Sequence, residues 1–124
     1  MIKGIHHISM KCRPEQLEEI KGFYEGILGM SVCREWAGGI MFDTGNGLIE
    51  VFTNGTEDFE KGVINHFALA TDDVDGLADR VRKAGYEIFK GPDNAVIPSV
   101  PEFPLRMAFC YGPLGEEIEL FCEL

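Results

Sequence analysis

The chain repeats itself, and the repeat limits what it can become. Ile5-His6-His7-Ile8-Ser9-Met10 returns as Ile64-Asn65-His66-Phe67-Ala68-Leu69, and Ile49-Glu50-Val51-Phe52 returns as Ile118-Glu119-Leu120-Phe121. An internal repeat means one supersecondary unit built twice, so the fold must accommodate two copies. Each copy has a histidine near its start and a glutamate near its end. Two histidines and two carboxylates make a complete protein ligand set for a divalent cation.

The unit can be traced from its periodicities. Residues 2–12 read as a strand, and Pro14 opens a helix where its missing N–H costs nothing. Leu17, Ile20, Tyr24, Ile27 and Leu28 fall on one helical face, and Gly29 ends it. Strand-like runs follow at Ser31–Trp36, Gly39–Asp43 and Leu48–Thr53, separated by glycine turns. The order then recurs. Residues 63–71 read as a strand, Asp72 or Asp73 caps a helix, and Val74, Leu77, Ala78, Val81 and Ala84 form its apolar stripe. Arg80, Arg82 and Lys83 suit the negative end of that helix, and Gly85 closes it. Strands around Tyr86–Phe89, Leu105–Gly112 and Glu116–Cys122 complete the copy. The expected fold is α+β: two βαβββ modules forming a cupped mixed sheet. They make one domain over 1–124, with module one about 1–57, module two about 62–124 and the boundary near Thr56–Gly62.

One stretch has no counterpart in the first copy. Lys90 to Pro104 contains Pro92, Pro98, Pro101 and Pro104. Proline removes ladder donors, so the expectation here is an extended surface loop, either a lid or a rigid connector.

Composition excludes several classes. A net charge of −10 argues against nucleic acid, whose phosphates need an excess of Lys and Arg. No apolar run approaches a membrane span, and the first dozen residues lack the core of a signal peptide. Cys12, Cys33, Cys110 and Cys122 show no C-x-x-C spacing, which reads as reduced thiols in a cytoplasm.

Alternation along the strands separates the candidate ligands from their neighbours. His7, Ser9 and Lys11 share one strand face, and His6, Ile8 and Met10 share the other. The repeat aligns His66 with His7 and leaves His6 opposite Asn65. Glu50 and Phe52 point away from Ile49, Val51 and Thr53, and Glu119 lies between Ile118 and Leu120 in the same way. A carboxylate set inward among large apolar residues needs a partner. A histidine hydrogen-bonded to a glutamate, twice over, is the plain alternative. Placement by an internal duplication favours a metal held by His7, Glu50, His66 and Glu119. Nitrogen and oxygen donors suit Ni, Co or Zn, with Mn or Fe also possible.

The paired βαβββ units and the I-x-H…I-E-[VL]-F repeat resemble the vicinal oxygen chelate superfamily. So does Phe23-Tyr24-Glu25-Gly26-Ile27-Leu28-Gly29-Met30, which is similar to an F-Y-x-x-x-L-G-[MF] signature. That superfamily includes glyoxalase I, methylmalonyl-CoA epimerase, extradiol dioxygenases, fosfomycin-modifying enzymes and bleomycin-binding proteins. The resemblance implies metal ligands at His7, Glu50, His66 and Glu119, a set like that of small bacterial glyoxalase I enzymes. Asn54 matches an asparagine that helps hold glutathione there, and Lys11 stands where those enzymes usually carry arginine. The substrate implied is a small molecule, such as the hemithioacetal of methylglyoxal and glutathione, and the implied assembly is a homodimer.

The expected chemistry converts the hemithioacetal of a 2-oxoaldehyde to a 2-hydroxyacyl thioester, by proton transfer through a metal-stabilised enediolate. Glu119 is the first candidate for the base and Glu50 the second. Phe52 and Phe121 are the aromatic residues that alternation turns toward the site, and Arg106 and Lys90 flank the proline-rich stretch, either as solvated surface charge or to meet an anionic substrate. Two other readings stand beside this one. The first is an acyl-thioester epimerase of the same superfamily, against which Glu50 weighs because epimerases usually carry an amide there. The second is a protein that sequesters a ligand without turning it over.

Overall fold

The computed structural model describes residues 1, 3–58, 62 and 64–124. The chain divides into two compact units, Met1–Glu60 and Lys61–Leu124. The boundary expected near Thr56–Gly62 falls partly on residues outside those described, as do Ile2 of the expected first strand and Val63 of the fifth.

The first unit contains β1 (His7–Lys11), a helical segment, and the strands β2 (Ser31–Trp36), β3 (Gly39–Asp43) and β4 (Leu48–Phe52). The sheet order is β1-β4-β3-β2, with β1 parallel to β4 and the other pairs antiparallel. The helical segment begins as a 3-10 turn at Pro14–Gln16, and the Gln16 side chain accepts the Arg13 amide at 2.8 Å. It continues as α1 (Leu17–Lys21) and widens into π-type turns over Gly22–Ile27. Phe23 lies beside Ile20 and Tyr24 in the apolar stripe, three residues after Ile20, and all three are fully buried. Tyr24 packs on Phe42 with ring centroids 5.4 Å apart, and its hydroxyl reaches Met10 Sδ at 3.9 Å. Met10, Ile40, Phe42, Ile49 and Val51 thus share the helix-covered face, which leaves His7, Ser9, Lys11, Glu50 and Phe52 on the other.

The second unit repeats the plan with β5 (Phe67–Ala70), α2 (Val74–Lys83), β6 (Ile88–Ile97), β7 (Phe103–Tyr111) and β8 (Glu117–Glu123). The order is β5-β8-β7-β6, with β5 parallel to β8. Asp73, not Asp72, caps α2: its carboxylate accepts the Gly76 amide at 2.9 Å. Val74, Ala78 and Val81 are buried from the helix, and Ala108, Cys110, Ile118 and Leu120 from the sheet. Burying each of the larger of these side chains contributes roughly 1.5–3 kcal/mol. Burial also pushes the Cys110 thiol up to about 12.

The proline-rich stretch is not the long loop expected from its composition. β6 runs through Pro92 to Ile97 and β7 begins at Phe103, so only residues 98–102 connect them. Pro92 falls where the β6–β7 register breaks between Lys90 and Asp93, on an edge strand, and there a missing donor interrupts no ladder. Gly91 beside it has φ +77°, and a Cβ there would lie 2.4 Å from the Met107 carbonyl oxygen, so only glycine fits. Among the described residues no helix is long and apolar enough to cross a membrane.

Candidate functional site

In the first sheet, the parallel register sets Ser9 opposite Glu50, and the antiparallel register on the other side sets Met41 opposite it. Glu50 is 8% exposed, the one buried charged residue among those described. Its Oε1 accepts a hydrogen bond from Ser9 Oγ at 3.0 Å, and His7 Nε2 lies 3.7 Å from the same oxygen. The second distance is too long for a hydrogen bond. The other ring nitrogen of His7, Nδ1, is 2.9 Å from Nδ1 of His6.

The second sheet places the equivalent pair at the equivalent register. Ala68 stands opposite Glu119 across β5 and β8, and Phe109 stands opposite it across β7. His66 Nε2 is 3.0 Å from Glu119 Oε2, and His66 Nδ1 is 2.7 Å from Asn65 Oδ1. The imidazole edge also packs against Phe109, with ring centroids 5.1 Å apart and planes at 79°.

These pairs fit a divalent cation by geometry and by donor type. Metal–ligand bonds of about 2.1 Å put two ligands about 3.0 Å apart at a right angle and about 3.4 Å apart at a tetrahedral one. The observed 3.0 Å lies on the first value and 3.7 Å a little beyond the second. At His66, both ring nitrogens face acceptor oxygens, yet a neutral imidazole has only one N–H. A cation beside Nε2 resolves that surplus of acceptors. Each unit supplies two donors, and among the described residues no three His, Cys, Asp or Glu side chains gather into a metal-binding group.

The remaining expected site residues are distributed unevenly. Lys11 is exposed and in register with Phe52, on the same face as His7 and Glu50. Phe52 meets Trp36 edge-on at 6.0 Å across Gly39, where a Cβ would come within 2.6 Å of the indole. Asn54 is exposed beyond the end of β4. Phe121 shares the face of Glu119 and stacks on Phe103 at 5.9 Å.

Arg106 is placed differently from the expectation. It alternates with Met107 and so belongs to the helix side of the second sheet. There its Nε and Nη2 donate to the two oxygens of Asp75 at 2.5 and 2.6 Å, and Nη1 donates to Asn94 at 2.9 Å. Its charge ties α2 to the hairpin, and the Arg106 guanidinium in turn holds the Asp75 carboxyl below its usual range. Lys90 lies over the Phe109 ring, 5.5 Å from its centroid.

Three contacts near the pairs were not anticipated: Ser9 reaches Glu50, and His6 and Asn65 reach their neighbouring histidines. Phe109 and Met107, which sequence leaves between pocket and core, join Phe121 on the helix-free face of the second sheet. The matched positions of His6 and Asn65 in the repeat were the signal for that pair. The register needed for the others is a property of strand pairing.

A family model described as the Glyoxalase/Bleomycin resistance protein/Dioxygenase superfamily matches residues 4–120. No curated protein matches the chain. Among solved structures, a protein assigned to the glyoxalase family from Bacillus anthracis is similar at 22% identity with a TM-score of 0.77, covering 100% of this chain and 98% of its own. The antibiotic binding protein TnmS3 from Streptomyces sp. CB03234 is similar at 21% identity and 0.76, covering 99% and 98%. The fosfomycin resistance protein FosX from Mesorhizobium loti is similar at 22% and 0.73, covering 98% and 93%. At such identities the likeness is one of fold.

Proposed function

This chain belongs to the glyoxalase/bleomycin resistance protein/dioxygenase superfamily, and from that premise we propose that it is a metal-dependent lyase or isomerase of the glyoxalase I kind. The observation that carries the reading is the paired one. His7 with Glu50 and His66 with Glu119 occupy corresponding positions of two sheets, and within each pair the donor separation suits two ligands of a cation. On this reading the four residues are the ligands of a single kind of ion, bound at one per chain.

A divalent ion held by these residues supplies Lewis acidity at a carbonyl or hydroxyl oxygen, which acidifies the adjacent C–H. The chain's own part is to orient the substrate and move one proton. Glu119 accepts the proton from the carbon bearing sulfur and hydroxyl and returns it to the neighbouring former carbonyl carbon, while the hydroxyl proton passes to the former carbonyl oxygen. The product is a 2-hydroxyacyl thioester, isomeric with the hemithioacetal, so no atoms are gained or lost. Glu50 stays on its serine and serves as the fixed donor. Lys11 and the Phe52 and Phe121 rings supply charge and apolar surface on the same two sheet faces.

The test is thioester formation from methylglyoxal and glutathione with protein reconstituted separately with Ni, Co and Zn. Turnover that requires the ion supports the reading. Stoichiometric metal without turnover moves the chemistry to another thiol or to an acyl thioester, as in an epimerase. A second reading, sequestration of a ligand without turnover, draws on the aromatic rings of the second unit. Phe89 stacks on Tyr111 at 4.3 Å and lies 5.7 Å from Phe109. Tight binding of a planar ligand by protein that never carries metal would favour it.

A further inference from the structure

The residue before each candidate histidine has no role in the reading above, yet in both units it touches the ring. Side chains of adjacent strand residues point to opposite faces and ordinarily do not meet. Here the contact is possible because His6 lies just before β1 and Asn65 before β5, where the backbone has not yet entered the ladder. His6 Nδ1 is 2.9 Å from His7 Nδ1, and Asn65 Oδ1 is 2.7 Å from His66 Nδ1. In each case the contact is to Nδ1, and Nε2 is the nitrogen turned toward the glutamate.

Which nitrogen carries the proton follows from the acceptors. At His66 two acceptors compete for one proton, Asn65 Oδ1 at 2.7 Å from Nδ1 and Glu119 Oε2 at 3.0 Å from Nε2; a proton on Nδ1 serves the nearer one and leaves Nε2 with its lone pair for a cation shared with Glu119. In the first unit, a proton on His7 Nε2 would find Glu50 at 3.7 Å, too far to accept it, whereas a proton on Nδ1 finds His6 at 2.9 Å. Two different residue types at one repeat position thus perform the same task. A fixed acceptor at one ring nitrogen orients the ring and keeps the other nitrogen bare for a cation.

We propose that His6 and Asn65 are positioning residues that hold His7 and His66 in the Nδ1–H tautomer, with Nε2 presented to the metal. This rests on the metal reading above. Both residues are exposed, so replacing them leaves the buried cores in place.

The experiment combines zinc titration by calorimetry with histidine ring nitrogen NMR of the metal-free protein. Asn65→Ala and His6→Ala are expected to weaken zinc binding by about 10- to 100-fold. Asn65→Asp and His6→Asn restore an acceptor and are expected to bind as the unaltered protein does. In the metal-free protein, each alanine variant shifts its neighbouring histidine toward the Nε2–H tautomer. Alanine variants with unchanged zinc affinity and unchanged tautomers overturn the proposal. So does a His66 found as Nε2–H in the unaltered protein, since Asn65 would then be donating its amide to the ring. If the unaltered protein takes up no zinc, the metal reading fails, and the tautomer comparison alone decides the positioning role.

Discussion

On the helix-free face of the first sheet, a serine hydroxyl stands opposite Glu50 and donates to it at 3.0 Å. At the matching position of the second sheet, Glu119 faces the methyl group of Ala68 and takes its contact from His66 at 3.0 Å. Exposure does not separate the two carboxylates, whose side chains are 11% and 13% accessible. What separates them is a hydrogen bond independent of the metal partner. Among the described residues, Glu50 has a donor besides its histidine, and Glu119 has beside it only the ring nitrogen of His66. The repeat therefore preserves the two His–Glu pairs but gives the serine contact to one glutamate alone, and on the proposed function this makes Glu50 the fixed ligand and Glu119 the base.

Exchanging roles between the two glutamates is the largest expected break in this comparison. Glu119→Gln should lower thioester formation by about 10²- to 10⁴-fold while zinc remains bound, as expected for removal of a general base. Glu50→Gln should instead show its first loss in zinc affinity. Loss of turnover with metal retained in Glu50→Gln, and not in Glu119→Gln, would reverse the assignment.

The hydroxyl can also be moved from one unit to the other. A hydrogen bond to a charged group is worth about 1.5–3 kcal/mol, so Ser9→Ala should weaken zinc binding by about tenfold or more. Ala68→Ser gives Glu119 the anchor it lacks, and turnover should fall by up to about tenfold with zinc affinity equal or tighter. Equal behaviour of both variants on both readouts would remove the distinction between the fixed ligand and the base.

The two helices also differ in how they begin. Asp73 caps α2 with its side chain, whereas the first helical segment starts at Pro14 with the Arg13 amide bound by Gln16. Urea unfolding of Asp73→Ala should show a loss of about 1 kcal/mol, the usual cost of an N-cap. A smaller effect belongs to the Arg106–Asp75 pair, found in the second unit alone. Its folded carboxyl titrates below the unfolded value of about 3.9, so its contribution is present above that pH and fades as the pH falls through the folded value. Melting temperatures of Asp75→Asn should accordingly fall less steeply on acidification than those of the unaltered protein. Solvent screening keeps the difference small.

The His–Glu pairs were legible because duplication places the same chemistry at the same spacing twice, and alternation turns Glu50 and Glu119 away from their apolar neighbours. Ser9 shares a strand face with His7 in the sequence, but its meeting with Glu50 depends on the parallel register of β1 and β4, which no local pattern specifies. The prolines obscured the extension of β6 over Lys90–Ile97: a proline at a register break on an edge strand looks, in sequence, like a proline in a loop. Phe109, Met107 and Arg106 lie in a strand that was expected, but their meetings with Glu119, Phe121 and Asp75 depend on pairing that the sequence does not specify. Phe23 was legible as well, since it stands three residues after Ile20 and four before Ile27 on the apolar stripe.

The most direct measurement of the central claim is a calorimetric titration of the metal-free protein with nickel or zinc, read for ions bound per chain. The account predicts one ion per chain, with affinity lost on replacing any of His7, Glu50, His66 or Glu119 by alanine. Two weak and independent ions per chain, each sensitive to one pair only, would contradict it, as would a protein that binds none.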